Sequence, residues 1–308
     1  MIDTLVTGGS GMLGKDLQKV MGGDIKVIFL TRKHCDLTNQ GAVDALFKML
    51  KPKTVIHLAA RVGGIEDNIK HPAHYYDENI LINTNVLRAS QRNDAKKFVA
   101  ILSSCMYPDV ASRYPMTEDM IHESAPAASN FAYGYAKRCM HVQIQAYNKE
   151  YGTKYSCLIP ANLYGPNDQY FLERSHFVAA LIIKIYDALK NGKTYLDLFG
   201  TGKPMRQFVY SPDVARIIHE YIKQDFTEDL NIAGPEAHTI QDIAIIALKA
   251  CNAQNLGLAF DPQKPDGQIN KNIDSARLTR LLPAFKFTSL YEGIKKTYEE
   301  YCYRKNFK

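Results

Sequence analysis

Residues 4–14 read TLVTGGSGMLG, an apolar strand-like run that leads into glycines at positions 8, 11 and 14. Glycine has no Cβ, so the backbone N–H groups of such a turn can come close to a phosphate group. The turn follows a predicted strand and precedes a predicted helix, which is the context that makes this spacing indicative of a dinucleotide site. The pattern predicts that the pyrophosphate of a dinucleotide is bound by Gly8, Ser10, Gly11, Met12 and Gly14.

Strand-like and helix-like segments alternate through the first half of the chain. The strand-like runs are nearly all apolar, which is typical of strands buried on both faces of a parallel sheet. The predicted strands are Thr4–Thr7, Ile25–Leu30, Thr54–Leu58, Phe98–Ser103 and Tyr155–Pro160. The predicted helices are Leu13–Met21, Gly41–Lys51, Asn79–Asn93 and Tyr135–Tyr151. This alternation predicts a doubly wound parallel α/β sheet of the Rossmann type.

The rhythm changes after about Asn162, where a loop rich in Gly, Pro and Asn leads to a predicted helix at His176–Lys190 and a strand at Arg206–Tyr210. We expect residues 1–162 to form the dinucleotide-binding domain, with a later segment near residues 206–235 wound back into it. Residues 163–308 then form mainly a smaller α/β substrate lobe.

Composition excludes several classes of protein. The net charge of +6 comes without a long basic run, so nucleic acid is not an expected partner. Six cysteines without a CxxC pair, and no His cluster at ligand spacing, predict no metal site. The chain opens on a strand-like run without a signal peptide, and no apolar stretch reaches the ~18 residues that a membrane span needs. We therefore expect a cytoplasmic protein with free thiols that does not bind a membrane.

The end of the second predicted strand indicates which dinucleotide binds. An acidic residue there would bind the ribose 2′-hydroxyl of NAD, whereas an Arg accommodates the 2′-phosphate of NADP. The sequence has no acid at this point and instead reads Thr31-Arg32-Lys33. Arg32 therefore favours NADP(H), with Asp36 and Leu37 bordering the adenine.

A candidate reductase centre lies between residues 103 and 137. Tyr133 and Lys137 form a YxxxK pattern, and residues four apart share a face of a helix. A lysine ammonium beside a phenol is expected to favour the phenolate, so that Tyr133 can exchange a proton near neutral pH. Ser103 ends the fourth predicted strand, where its hydroxyl would point into the ligand crevice beside Tyr133. The three elements occur in the order typical of a short-chain dehydrogenase/reductase.

Longer segments make the chain similar to one group within that class. It resembles the GDP-L-fucose synthase family of extended short-chain dehydrogenases/reductases, whose members catalyse 3,5-epimerisation and 4-reduction of a GDP-4-keto sugar. The most specific matching segments are Ala59–Ile65 and Ser103–Pro108. The others are Thr7–Gly14, Asn130–Arg138, Pro160–Asp168, Ser175-His176, Gly200–Phe208 and Lys264–Gln268.

The resemblance implies a role for individual residues. Ser103, Tyr133 and Lys137 would form the reductase triad, and Cys105 and His176 the acid/base pair of epimerisation. Substrate contacts would come from Ser104, Asn162, Lys184, Phe199, Arg206 and Lys264, with Arg206 on the diphosphate. Further cofactor contacts would come from Ala59, Ala60, Tyr133, Lys137, Asn162 and His176.

The expected function is therefore NADPH-dependent conversion of GDP-4-keto-6-deoxy-D-mannose to GDP-L-fucose. An alternative is C4 reduction, with or without epimerisation, of another GDP-4-keto sugar such as a colitose or heptose precursor. A 4,6-dehydratase is disfavoured, because Ser104-Cys105 stand where that chemistry commonly uses Asp-Glu. A non-catalytic NADP-binding protein is disfavoured because both Tyr133 and Lys137 are present. The resemblance also implies a homodimer in which residues 79–93 and 135–151 pair across a two-fold axis.

Overall fold

The protein is described from a computed structural model that covers residues 2–23, 26–171, 175–264 and 266–306. The strands are β1 (Thr4–Thr7), β2 (Val27–Leu30), β3 (Thr54–His57), β4 (Lys97–Ile101), β5 (Ser156–Pro160), β6 (Asn162–Tyr164), β7 (Tyr195–Phe199), β8 (Met205–Arg206), β9 (Phe208–Tyr210), β10 (Leu230–Ile232), β11 (His238–Thr239) and β12 (Gly257–Asp261). The helices are α1 (Met12–Met21), α2 (Gln40–Leu50), α3 (Ile65–Lys70), α4 (Pro72–Arg92), α5 (Phe131–Tyr151), α6 (Phe177–Lys190), α7 (Ser211–Lys223), α8 (Ile240–Ala250), α9 (Ala276–Leu281) and α10 (Leu290–Asn306).

Six parallel strands form the central sheet in the order β10-β5-β4-β3-β1-β2. Every residue of β1, β4, β5 and β10 is buried, as expected for strands covered on both faces. The winding direction reverses at β1, which lies between β2 and β3, and a ligand crevice opens at the carboxyl ends of strands at such a reversal. The predicted doubly wound α/β fold is confirmed.

A second hydrophobic core lies between α6, α8 and α10 and the parallel pair β7–β12. The chain returns to the first core through residues 208–232, because β9 pairs with β6 and β10 extends the main sheet beside β5. This return falls within the segment expected near residues 206–235. The division of the chain at residue 162 stays a prediction. Among the residues described, no helix combines the length and the apolar character that a membrane crossing requires.

The predicted boundaries differ most from the structure at three elements, and the others differ by at most two residues. Helix α4 begins at Pro72, seven residues before Asn79, since proline is well suited to a first helical position, where its missing N–H is not needed. Helix α5 begins at Phe131 instead of Tyr135. The predicted strand Arg206–Tyr210 is two strands, because Arg206 pairs with β11 whereas Phe208 pairs with β6. Ile25, the first residue of the second predicted strand, lies outside the described residues.

A buried histidine joins the strands on either side of the crevice. The Thr7 hydroxyl lies 2.9 Å from Nδ1 of His57, and Nε2 of His57 lies 3.1 Å from the amide oxygen of Asn83 on α4. Because that oxygen only accepts, Nε2 carries the proton and Nδ1 accepts from Thr7. The backbone N–H of Ala59 donates to the Thr7 oxygen at 3.2 Å. Burial, together with the charge of Lys137, lowers the pKa of His57 from 6.5 to about 3.

His57 is expected to make the protein acid-sensitive. In the unfolded chain His57 binds a proton below pH 6.5, whereas in the folded chain it does not until about pH 3. The contribution of His57 to the free energy of unfolding is therefore fully present above pH 6.5 and is lost as the pH falls from 6.5 towards 3. Moving from pH 7.5 to 5.0 should remove about 2 kcal/mol through this residue, and His57→Gln should abolish that part of the slope. Urea unfolding at both pH values measures it. His74→Gln on α4 is the exposed control, and an unchanged slope in His57→Gln would contradict the assignment.

Candidate active site

The glycine turn between β1 and α1 leaves no space for side chains. Gly8 has φ +73°, and a Cβ there would lie 2.8 Å from the backbone nitrogen of Ala59. A Cβ on Gly14 would lie 2.4 Å from the carbonyl oxygen of Gly8. Helix α1 begins at Met12, and the residue before it, Gly11, provides no side-chain cap for the first N–H groups. The turn therefore presents a bare helix N-terminus, which suits a pyrophosphate.

A cavity of about 900 Å³ extends from this turn along the carboxyl ends of the sheet strands to the second lobe. It brings together nearly all of the residues that the sequence predicted for the site. Those that line it are Gly8, Ser10, Gly11, Met12, Gly14, Arg32, Asp36, Leu37, Ala59, Ala60, Ser103, Cys105, Tyr133, Lys137, Asn162, His176, Lys184, Phe199 and Arg206.

Two predicted substrate contacts do not line the cavity. The Ser103 hydroxyl accepts the N–H of Cys105, and a 3₁₀ turn follows over residues 104–106. That turn exposes Ser103 and Cys105 to the cavity and buries Ser104, so the structure does not bring Ser104 to the cavity wall and its substrate contact stays a prediction. Lys264 lies in the turn after β12, with its Nζ 5.5 Å from the ring centroid of Phe199. It therefore contacts a residue of the cavity wall without being part of that wall.

Arg32 and Asp36, which follow β2, differ in how far their charges are already paired within the protein. Arg32 is largely exposed and lies 3.5 Å from a carboxylate oxygen of Glu78, which also pairs with Arg61 at 3.0 Å. Asp36 accepts from the backbone N–H of Thr38 at 3.0 Å and from its hydroxyl at 2.8 Å. These bonds lower the pKa of Asp36 and commit its carboxylate to its own turn. The Arg32 guanidinium is therefore more accessible to a ligand than the Asp36 carboxylate at this end of the cavity.

The structure brings the predicted reductase residues Ser103, Tyr133 and Lys137 together in a buried environment. Tyr133 lies in the first turn of α5, and its hydroxyl shares a hydrogen bond with Ser103. Lys137 Nζ donates to the carbonyl oxygen of Ile101 at 3.0 Å and lies 5.7 Å from the Tyr133 ring centroid. Burial raises the pKa of Tyr133 well above 10.0 and lowers that of Lys137 to about 8. Desolvation is the largest influence on the pKa of Tyr133, and the proton exchange expected of Tyr133 beside Lys137 stays a prediction.

Cys105 and His176 both line the cavity, and each has a perturbed pKa. Burial acts to raise the pKa of Cys105, but the charge and hydrogen bond of Lys271, with hydrogen bonds from Ser103 and Asn130, outweigh it. The result is a thiol pKa below its usual value of 9.0. His176 precedes α6, and burial, with a smaller effect from Lys271, lowers its pKa below 6.5.

Among the cavity residues that were not singled out from the sequence, three are polar groups close to the chemistry or unusually buried: Lys271, Asn130 and Asp168. Lys271 lies in a loop beyond the matching segment that ends at Gln268, and a lone lysine in a loop carries no pattern of its own. Asn130 and Asp168 fall inside matching segments, but each is one polar residue among several. Asp168 is the more unusual of the two, because burial raises the pKa of its carboxyl to about 7.

The far end of the cavity carries cations around an aromatic ring. Lys184 donates to the carbonyl oxygen of Asp197 at 2.7 Å, and its Nζ lies 5.0 Å from the Phe199 ring centroid. Arg206 is half-buried and donates to the carbonyl oxygen of Met205 at 2.8 Å. The amide of Asn162 donates to the carbonyl oxygen of Gln207 at 3.0 Å, which holds β6 beside these residues. A ring and two cations suit a base joined to a diphosphate.

Comparison with known proteins agrees with this geometry. Residues 4–233 match the model of the NAD dependent epimerase/dehydratase family. The chain therefore belongs to the NAD dependent epimerase/dehydratase family. It is 39% identical to a GDP-L-fucose synthase from Dictyostelium discoideum, over 95% of this chain and 93% of that protein. It is 38% identical to a probable GDP-L-fucose synthase from Drosophila melanogaster, over 98% and 97%.

A solved structure supports the same relationship. A GDP-L-fucose synthetase from Naegleria fowleri bound to NADP superposes with a TM-score of 0.88 at 32% sequence identity. The alignment covers 99% of this chain and 95% of that one. The similarity therefore extends over both the sheet and the second lobe.

Proposed function

We propose that this chain is an NADP-dependent enzyme that converts GDP-4-keto-6-deoxy-D-mannose into GDP-L-fucose by epimerisation at C3 and C5 and reduction at C4. The observation that carries the proposal is one cavity in which a thiol of lowered pKa, an imidazole and the Ser103–Tyr133 hydroxyl pair lie beside a glycine turn. The similarity to GDP-L-fucose synthases over nearly the whole chain supports the choice of substrate.

The turn at Gly8–Gly14 has the form that NADP(H) requires. The close backbone approach at Gly8 and Gly14 and the uncapped start of α1 would hold the pyrophosphate, and Arg32 would hold the 2′-phosphate. When bound, NADPH supplies the hydride that reduces C4. Asn162, Ala59 and Ala60 would line the passage from the turn toward Tyr133.

The second lobe would bind the GDP portion of the substrate. Arg206 would pair with the diphosphate, whose oxygens match the fork of a guanidinium. The ring of Phe199, with Lys184 over it, would contact the guanine. Binding at both ends places the sugar between them, near residues 103–105 and His176.

Epimerisation uses the acidity that the 4-keto group gives to the hydrogens at C3 and C5. The Cys105 thiolate removes the proton, the electron pair moves onto O4, and protonated His176 returns a proton to the opposite face. The hydroxyls of Ser103 and Tyr133 stabilise the negative charge on O4. Because the reaction needs a thiolate together with an imidazolium, its rate should be bell-shaped in pH, bounded by the two lowered pKa values.

Reduction then needs a proton donor at O4, and Tyr133 has that form. Burial raises its pKa, so the phenol keeps its proton at neutral pH and can give it to the developing alkoxide. The phenolate formed in this step lies near the ammonium of Lys137, which stabilises it. Lys137 therefore acts after proton transfer, on the product form of Tyr133.

Incubation with GDP-4-keto-6-deoxy-D-mannose and NADPH in D₂O, followed by NMR, tests the function. We expect a GDP-L-fucose product with deuterium at C3 and C5. Tyr133→Phe should slow C4 reduction by about 10²–10⁴-fold while deuterium still enters the substrate. Tyr135→Phe, on the same helix, is the matched control and should behave as wild type. Reduction without deuterium at either carbon would instead assign a C4 reductase of another GDP-4-keto sugar.

Arg32 should determine the preference for NADPH over NADH. Removing its contact with the 2′-phosphate in Arg32→Ala should weaken NADPH about 10–100-fold, the range of a charged hydrogen bond, and leave NADH nearly unchanged. Glu78, the ion-pair partner of Arg32, still pairs with Arg61 in this variant, so its carboxylate is not left without a cation. Fluorescence titration measures both affinities, with the neighbouring exposed Lys33→Ala as control. An equal loss for the two dinucleotides would remove Arg32 from this role.

We also propose that the enzyme is a homodimer in which α4 and α5 meet the same helices of a second chain. These helices pack against each other and expose apolar side chains, with Leu81 48% and Val142 51% exposed. Sedimentation velocity should give twice 34.7 kDa, and a stable monomer would contradict the proposal.

We propose the cytoplasm as the compartment of this enzyme, because its six free cysteines would stay reduced there. Counting the free thiols of protein isolated from cells would test this.

A further inference from the structure

Lys271 is a buried lysine whose amino group points at a catalytic candidate. It is 8% exposed, and its Nζ lies 2.9 Å from the sulfur of Cys105. Within the described part of the chain, no carboxylate lies within ion-pair distance of this ammonium. Burying a cation is energetically unfavourable unless an anion pairs with it. The thiolate form of Cys105 would be such an anion, in hydrogen-bond contact with the Lys271 ammonium.

The backbone holds Lys271 in place from both sides. Before it, the N–H of Met205 donates to the carbonyl oxygen of Ile269 at 2.8 Å. After it, the N–H of Met116 donates to the carbonyl oxygen of Asn272, and the N–H of Ile273 donates to the Gln207 side chain, each at 2.8 Å. The loop is thus joined to two other segments, residues 205–207 and the segment at Met116, so the distance between Lys271 and Cys105 is set by the fold.

Other ionisable groups also act on this thiol. Arg206, Lys137 and Tyr133 all interact electrostatically with Cys105. Lys271, unlike Arg206 and Lys137, donates a hydrogen bond to the sulfur. Its charge also reaches His176, whose pKa it lowers after the larger effect of burial.

We propose that Lys271 is a positioning residue that keeps Cys105 in the thiolate form and orients that sulfur toward the sugar. The inference rests on the proposed role of Cys105 in epimerisation. In the step, the C3–H or C5–H bond breaks, an S–H bond forms and the electron pair moves to O4. Lys271 keeps its own proton throughout.

Alkylation of Cys105 by iodoacetamide tests the inference without any substrate. The rate for the Cys105 peptide is followed by mass spectrometry from pH 5.5 to 9.0, with added glutathione as the reference thiol. Lys271→Met should move the midpoint up by one pH unit or more, which lowers the rate at pH 7 about tenfold. Lys271→Arg should stay near wild type, and so should the control Lys249→Met on α8. A midpoint unchanged in Lys271→Met overturns the proposal.

A second measurement needs no change at Lys271, in case Lys271→Met does not fold. The absorbance of wild type at 240 nm, minus that of Cys105→Ser, reports the thiolate of Cys105 during a pH titration. The midpoint should lie below 9.0, the usual thiol value. A midpoint at or above that value overturns the proposal.

Deuterium uptake at C3 and C5 separates this inference from the proposed function. Lys271 lowers the pKa of both Cys105 and His176, so Lys271→Met should move the whole bell-shaped pH profile upward. A lower bell at an unchanged position would mean that Lys271 supports folding or substrate binding only, and would overturn the inference. If wild type takes up no deuterium, the proposed function fails, and the two thiol titrations still decide whether Lys271 sets the state of Cys105.

Discussion

The hydrogen-bonded chain from the N–H of Ala59 through Thr7 and His57 to Asn83 joins the ends of β1 and β3 at the point where the winding of the sheet reverses. The glycine turn depends on the same place, since a Cβ at Gly8 would meet the backbone of Ala59. A side chain larger than hydrogen would push the turn away from β3. The floor of the cavity is therefore set by backbone packing, before any residue of the catalytic set contributes.

Burial strengthens the electrostatic interactions of the charged side chains in this cavity. Lys137 and Lys271 are almost fully buried, and each directs its amino group at a defined acceptor, the Ile101 carbonyl and the Cys105 sulfur. Arg32, Lys184 and Arg206 also line the cavity, together with the acidic residues Asp36, Glu66, Glu78, Asp168 and Asp266. The attraction between the half-buried Arg206 and a diphosphate would be stronger in this partly desolvated site than in water.

Patterns within a short stretch of sequence predicted most of the fold and the site. The glycine spacing, the YxxxK pair and the apolar strands depend on neighbours along the chain, and the structure brings those residues into one cavity. Ser104 does not line the cavity, because the direction of a side chain in a 3₁₀ turn follows from the Ser103 cap and not from proximity in sequence. Lys271 was missed because it reaches Cys105 across 166 positions, a contact that only the folded loop defines. The burial of Tyr133 was not visible in the sequence, because the YxxxK spacing shows the lysine but not the desolvation of the phenol.

Tyr133 and Cys105, two of the proposed proton-transfer residues, have pKa values shifted in opposite directions. Burial raises the pKa of both Tyr133 and Cys105, as it does for any group that becomes negative. Cys105 alone receives a direct ammonium contact, at 2.9 Å, whereas the ammonium of Lys137 lies 5.7 Å from the Tyr133 ring centroid and donates elsewhere. One group is thereby suited to accept a proton and the other to donate one at the same pH. This division of roles is what an enzyme needs if it is to form an enolate first and protonate an alkoxide afterwards without exchanging its residues.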